Sequence, residues 1–151
     1  MTSEENGAII YSRARVGRDI EVKGSFEVVS TSNGDFQGGL VIGRPEYQTS
    51  GWYAFRVKRN REDGDAASVS IHWSKNQILS PAPVNPGTNT FDFRLENGRI
   101  TATVNGTEVF NDVSAPRNEA LPYELLVGVG GFNNMNETVI RYRDLQVKRL
   151  R

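Results

Sequence analysis

Apolar and polar residues alternate with a period of two along most of this chain of 151 residues. In the segment 19–30, Ile20, Val22, Phe26 and Val28 fall on one side of an extended backbone, and charged residues fall on the other. This is the period of a β-strand with one buried face, and helical periods are nearly absent. The pattern predicts about ten strands, of which the clearest are 19–30, 38–43, 51–59, 68–74, 90–96, 99–104, 107–111, 125–129 and 138–150.

Turn residues indicate how several of these strands pair. Asn97-Gly98 separates two alternating runs, which is the strongest short-range pattern for a β-hairpin, and Asn105-Gly106 repeats it at once. The two turns together predict a three-stranded meander. Because no crossover helices separate the strands, the sheets should be antiparallel. We therefore predict an all-β fold, a two-sheet antiparallel jelly-roll sandwich, as one domain over 1–151 with a flexible N-terminus at 1–7.

Composition and charge narrow the classes of function. Lys+Arg and Asp+Glu number 18 each, so the net charge is zero and the electrostatic footprint of a nucleic-acid partner is missing. No apolar run approaches the roughly 18 residues of a spanning helix, so we expect no membrane insertion. The absence of cysteine excludes disulfides and thiol catalysis, and a single histidine, His72, excludes a site built from two imidazoles.

The first residues, Met-Thr-Ser-Glu-Glu-Asn, lack the basic and apolar regions of a signal peptide. This leaves the compartment open, because a mature or excised domain of an exported protein would begin in the same way. An extracytoplasmic location therefore stays one of the alternatives.

A Gly-rich run at 38–44 (GGLVIGR) is followed by 51–55 (GWYAF), the double Asn-Gly hairpin spans 97–109, and the chain closes with 127–129 (VGV) and 142–150 (YRDLQVKRL). Together these local motifs resemble the concanavalin A-like lectin/glucanase superfamily. Within the superfamily these motifs look most like the bacterial 3-keto-disaccharide hydrolase-like, or laminin-G-like, domain. The resemblance implies the sandwich fold and a function in binding sugars or acting on glycosides.

Catalysis on glycosides would need a recognisable pair of acids. Hydrolysis uses two carboxylates that flank the scissile bond a few ångströms apart. Laminarinase-like members of the superfamily carry them on one strand face as Glu-x-Asp-x-x-Glu, and this sequence has no such pattern. Glu46 and the acids of 62–65 fall in predicted turns, where solvated acids are ordinary. We therefore assign no catalytic residue and expect binding rather than catalysis.

A sugar site is predicted on one face of a sheet. Alternation places Trp52, Arg56 and His72 together, and this set suits a sugar because rings pack on pyranose C–H faces while polar groups bind hydroxyls. The alternative is an exposed histidine on a solvated sheet face. Predicted loops add three more ligand candidates: Tyr47, Phe132 and Asn134.

The acidic segment 62–65 offers Asp63 and Asp65 as ligands for a structural calcium ion, which prefers hard oxygen ligands. The alternative is a charged hairpin tip, and no other cofactor is expected. The sequence thus predicts a non-catalytic carbohydrate-binding module for an oligo- or polysaccharide, alone or within a larger bacterial protein. Two alternatives stay open: a structural or protein-interaction sandwich, and a glycoside-acting hydrolase or lyase of the 3-keto-disaccharide hydrolase type.

Overall fold

The computed structural model describes residues 8–11, 19–31, 35–43, 52–59, 67–73, 76–115, 126–131 and 138–150. Among these residues no helix is long and apolar enough to cross a membrane. The described ranges form eleven strands: β1 (Ala8–Tyr11), β2 (Ile20–Ser30), β3 (Phe36–Gly43), β4 (Trp52–Arg59), β5 (Ala67–Trp73), β6 (Asn76–Pro81), β7 (Thr88–Glu96), β8 (Arg99–Val104), β9 (Thr107–Ser114), β10 (Leu126–Gly131) and β11 (Val139–Arg149).

The strands form two antiparallel sheets. The six-stranded sheet has the order β1-β10-β3-β4-β5-β6, and the five-stranded sheet has the order β11-β2-β7-β8-β9. Strands from the start and the end of the chain lie side by side in both sheets, since β10 lies between β1 and β3 while β11 pairs with β2. The predicted two-sheet antiparallel sandwich is confirmed, and so is the meander of β7, β8 and β9.

The hydrophobic core lies between the two sheets and follows from the alternation. Phe55 of the six-stranded sheet and Phe93 of the five-stranded sheet meet across it, with ring centroids 5.2 Å apart. Both side chains are at most 1% exposed. Phe91 also lies in the core, and Tyr142 packs against it.

Two strands of the six-stranded sheet were not predicted. β1 is only four residues long, Ala-Ile-Ile-Tyr, so it has no alternation to detect. β6 lies between the predicted strands 68–74 and 90–96, where no strand was predicted. In β6, Ile78 packs against the core, but the next residue, Leu79, faces away from the core and is 56% exposed. Two consecutive apolar residues on opposite faces hide the period of two.

A hydrogen bond joins the two sheets through the core. The backbone N–H of Gly39 in β3 donates to the hydroxyl of Tyr142 in β11 at 2.8 Å. Gly39 has a φ of +145°, and an added Cβ would lie 2.1 Å from the carbonyl oxygen of Phe55 in β4. Only glycine fits this position, because β3 and β4 approach too closely there for any side chain.

Candidate functional site

A sandwich offers two outer faces, and the outer face of the five-stranded sheet neutralises its own charges. The Nζ atom of Lys23 lies 3.5 Å from a carboxylate oxygen of Glu21 and 3.5 Å from one of Asp92. The negative charges of these two acids raise the pKa of Lys23, and Asp92 has the larger effect. The same face also pairs Arg141 with Glu27 at 3.5 Å. Arg94–Glu96 and Arg99–Asp112 are further exposed pairs of β7, β8 and β9. Exposed pairs of this kind contribute little stability each, but they leave few charges for a ligand.

The outer face of the six-stranded sheet is organised in rows that run across the strands. One row is Gln37, Lys58, Ser68 and Pro81, taken from β3, β4, β5 and β6. The next row is Gly39, Arg56, Ser70 and Leu79. The third row is Val41, Ala54, His72 and Gln77. Each row lies about 7 Å from the next, which is two residues along a strand.

Burial separates these rows into a closed part and an accessible part. Val41 and Ala54 of the third row are 0% exposed, and so is Ser70 of the second. Ala54 and Ser70 lie on the outer face by alternation, yet both are closed to solvent. Among the side chains whose burial is described, the accessible ones belong to the first two rows. We call these residues the outer patch: Gln37, Arg56, Lys58, Ser68 and Leu79.

Arg56 is the centre of the outer patch. It lies opposite Gly39 in the register of β3 and β4, so no side chain stands beside it on that strand. Its Nη1 donates to Oε1 of Gln37 at 3.3 Å. This contact holds a half-buried guanidinium next to a primary amide, and both groups form hydrogen bonds with hydroxyl or carboxylate oxygens.

Among the predicted ligand residues, one belongs to the outer patch as described. Arg56 is in the outer patch, whereas Trp52 and His72 are described by strand position alone. In the register, Trp52 lies opposite Gly43 and His72 opposite Ala54. The other predicted site residues lie outside the described residues: Tyr47, Phe132, Asn134, Asp63 and Asp65. The described ranges contain no cluster of three or more metal-ligating side chains.

Sequence reasoning missed four residues of the outer patch, and one of them, Leu79, lies on β6, which was not predicted as a strand. Lys58 could have been predicted from the sequence, because it lies two residues after Arg56 on the same side of β4. Gln37 was not assigned to a strand, because β3 was predicted to begin at residue 38, whereas it begins at Phe36. Ser68 was seen only as the first residue of a strand, and a single serine at a strand end carries no pattern.

The charges of the six-stranded sheet all have one sign. None of its six strands contains an aspartate or a glutamate. Its formal cations are Arg56, Lys58 and Arg59, all on β4. Arg59 belongs to the opposite alternation, and its guanidinium carbon lies 5.7 Å from the ring centroid of Phe36. Two cations, Arg56 and Lys58, thus remain for the outer face.

The two antiparallel sheets, which stack on a shared core, form a jelly-roll sandwich of the concanavalin A-like kind. No protein-family profile matches the chain, and no curated protein matches it in sequence. Solved structures do match in fold. The carbohydrate-binding module CBM66 from Bacillus subtilis superposes with a TM-score of 0.66 at 10% identity, over 97% of this chain and 84% of that one.

A tetrameric galectin from the ball sponge Cinachyrella sp. gives a TM-score of 0.61 at 11% identity, over 93% of this chain and 99% of the galectin. A family 16 endo-glucanase from Bacteroides ovatus gives 0.62 at 10% identity, over 98% and 82%. At such identities the likeness shows the fold alone. The likeness to 3-keto-disaccharide hydrolase-like domains stays a prediction.

Proposed function

We propose that this chain is a non-catalytic carbohydrate-binding module whose saccharide lies on the outer patch. The observation that carries the proposal is the chemistry of this patch. A guanidinium, an ammonium, an amide and a hydroxyl converge from three adjacent strands, and the exposed Leu79 adds aliphatic surface on the fourth. Polar groups of these types bind sugar hydroxyls, and aliphatic surface packs on the C–H face of a pyranose.

Two further considerations support this choice of face. On the outer face of the five-stranded sheet, charged groups form ion pairs with one another, such as the pair of Arg141 and Glu27. Similar solved structures include proteins named as a carbohydrate-binding module and as a galectin. Fold alone does not determine function, so the patch rather than the likeness carries the proposal.

The absence of acids from the six strands of this sheet supports a non-catalytic role. A glycosidase places two carboxylates on either side of the bond, about 5 to 10 Å apart depending on the mechanism. A saccharide on the outer patch meets Arg56, Lys58, Gln37 and Ser68, none of which is a carboxylic acid. We therefore expect a bound saccharide to be released unchanged.

Binding to a panel of neutral and acidic polysaccharides tests the proposal, with affinity measured by titration calorimetry. Arg56→Ala should weaken binding about tenfold or more, because a hydrogen bond to a charged group contributes roughly 1.5–3 kcal/mol. Arg143→Ala is the matched control, since Arg143 is an exposed arginine opposite Ser25 on the other sheet. It should leave the affinity unchanged.

The same samples decide between the alternatives. A folded wild-type protein that binds no polysaccharide would refute the proposal and favour a structural or protein-interaction role. Release of new reducing ends, or elimination products, from any bound polysaccharide would refute the non-catalytic part and favour a hydrolase or lyase.

A further inference from the structure

We propose that Asn97 is a site of spontaneous covalent modification, namely deamidation to aspartate and isoaspartate, and that hydrogen bonds protect Asn105 from the same reaction. The sequence contains four Asn-Gly pairs, at 6–7, 33–34, 97–98 and 105–106. The last two pairs lie in the described ranges, at the turns between β7 and β8 and between β8 and β9. The modification is independent of any saccharide bound to the outer patch.

The reaction brings an asparagine amide against the backbone nitrogen of the next residue. The nitrogen of Gly98 loses its proton to solvent and forms a bond with Cγ of Asn97, while the amide nitrogen of Asn97 takes up a proton and leaves as ammonia. One water molecule then opens the five-membered succinimide at either carbonyl, which gives aspartate or isoaspartate. Glycine favours the attack because it carries no Cβ beside the attacking nitrogen and its backbone rotates readily.

The two described turns have closely matched backbones. The φ angle is 51° at both Asn97 and Asn105, 70° at Gly98 and 76° at Gly106. A Cβ added to either glycine would meet nothing within 4 Å. Main-chain conformation and the space around the glycine therefore favour neither site, and the difference between them lies in the asparagine side chains.

The side chain of Asn105 is held by three hydrogen bonds. Its Oδ1 accepts from the backbone N–H of Thr90 at 2.9 Å. Its Nδ2 donates to the carbonyl oxygen of Pro83 at 2.6 Å and to Oδ1 of Asn89 at 2.8 Å. The amide must break these bonds before Cγ can turn towards Gly106, and the nitrogen that would leave is the one that makes two of them. Asn105 should therefore react slowly while the protein is folded.

Asn97 differs in each of these respects. The residue is exposed, and its backbone N–H donates to Oδ1 of Asp19 at 2.7 Å. Within the described ranges its side-chain amide makes no hydrogen bond, so the amide is free to turn towards Gly98. The product places a new carboxylate on the residue whose N–H is bonded to Asp19. It also changes the formal charge of the chain from zero to one negative charge.

Peptide mapping of the incubated, folded protein tests the proposal. Trypsin separates the two sites, because Asn97 falls in the peptide 95–99 and Asn105 in the peptide 100–117. Mass spectrometry follows the conversion of amide to acid, and isoaspartyl methyltransferase labels the isoaspartate. We expect Asn97 to deamidate at least about tenfold faster than Asn105, since three hydrogen bonds of ordinary strength together exceed the free energy of a factor of ten.

Two comparisons separate structure from local sequence. In concentrated urea the hydrogen bonds of Asn105 are lost, and the two rates should converge. Gly98→Ala places a Cβ beside the attacking nitrogen and should slow the reaction of Asn97, whereas the matched control Gly106→Ala should leave the rate of Asn97 unchanged.

A third variant tests the hydrogen bonds directly. Asn89→Ala removes one acceptor of the Asn105 amide and should speed deamidation of Asn105 without changing the rate of Asn97. Circular dichroism establishes that the variant is folded, and the comparison in urea decides the matter without any variant.

Three results would overturn the proposal. The first is a folded protein in which Asn105 deamidates as fast as Asn97. The second is a folded protein in which Asn97 stays intact although it reacts in urea. The third is a ratio of the two rates that urea leaves unchanged, because the difference would then belong to the neighbouring residues in sequence rather than to the hydrogen bonds.

Discussion

Asn89 should be one of the most sensitive positions in the molecule. It occupies a core-facing position of β7, opposite Phe26, and is 0% exposed. Its Oδ1 accepts from the backbone N–H of Asn85 at 2.7 Å and from Nδ2 of Asn105 at 2.8 Å. Its Nδ2 donates to the carbonyl oxygens of Asn85 and Gly87, both at 3.0 Å. One side chain thereby ties the connection between β6 and β7 to the β8–β9 turn.

The cost of Asn89→Ala follows from these four contacts. A hydrogen bond within a protein contributes about 1 kcal/mol net, so four of them amount to roughly 4 kcal/mol. Asn85 and Gly87 are exposed, and water can replace part of what their backbone groups lose. Nδ2 of Asn105 also keeps its bond to the carbonyl oxygen of Pro83 at 2.6 Å. We therefore expect the free energy of unfolding to fall by about 3 kcal/mol.

Urea denaturation followed by intrinsic fluorescence measures this loss. Asn111→Ala, at an exposed position of β9, is the control and should lie within about 0.5 kcal/mol of the wild type. The Asn89→Ala, Asn105→Ala double-mutant cycle should give a coupling above 0.5 kcal/mol, since the two amides bond directly. A loss below 1 kcal/mol for Asn89→Ala would show that this network does not hold the connection.

Two further substitutions test how β3 is held between its neighbours. Gly39→Ala places a Cβ 2.1 Å from the backbone oxygen of Phe55, so we expect loss of soluble protein or a fall in melting temperature of about 10 °C. The control is Gly98→Ala, at a φ of +70° with open space around it, which should lower the free energy of unfolding by only about 1 kcal/mol. Tyr142→Phe removes the acceptor of the Gly39 N–H and should lower the free energy of unfolding by about 1 to 2 kcal/mol in urea; unchanged stability would contradict this role.

The sandwich could be predicted because its core and its turns follow local rules. The five-stranded sheet contains the cleanest alternation, and the turns at Asn97 and Asn105 adopt the positive φ of 51° that Asn-Gly hairpins require. The pairing of β10 with β1 and β3 could not be read in this way. It joins segments more than 80 residues apart, and no local pattern records which distant strand will be the neighbour.

The candidate site was predicted only in part for a different physical reason. Alternation predicts the sheet face on which Arg56 lies, but burial on that face depends on what packs over it. Ser70 and Ala54 lie on the same face and are both 0% exposed although they face away from the core. Periodicity reports the face of a sheet on which a residue lies, whereas accessibility is a property of the tertiary structure.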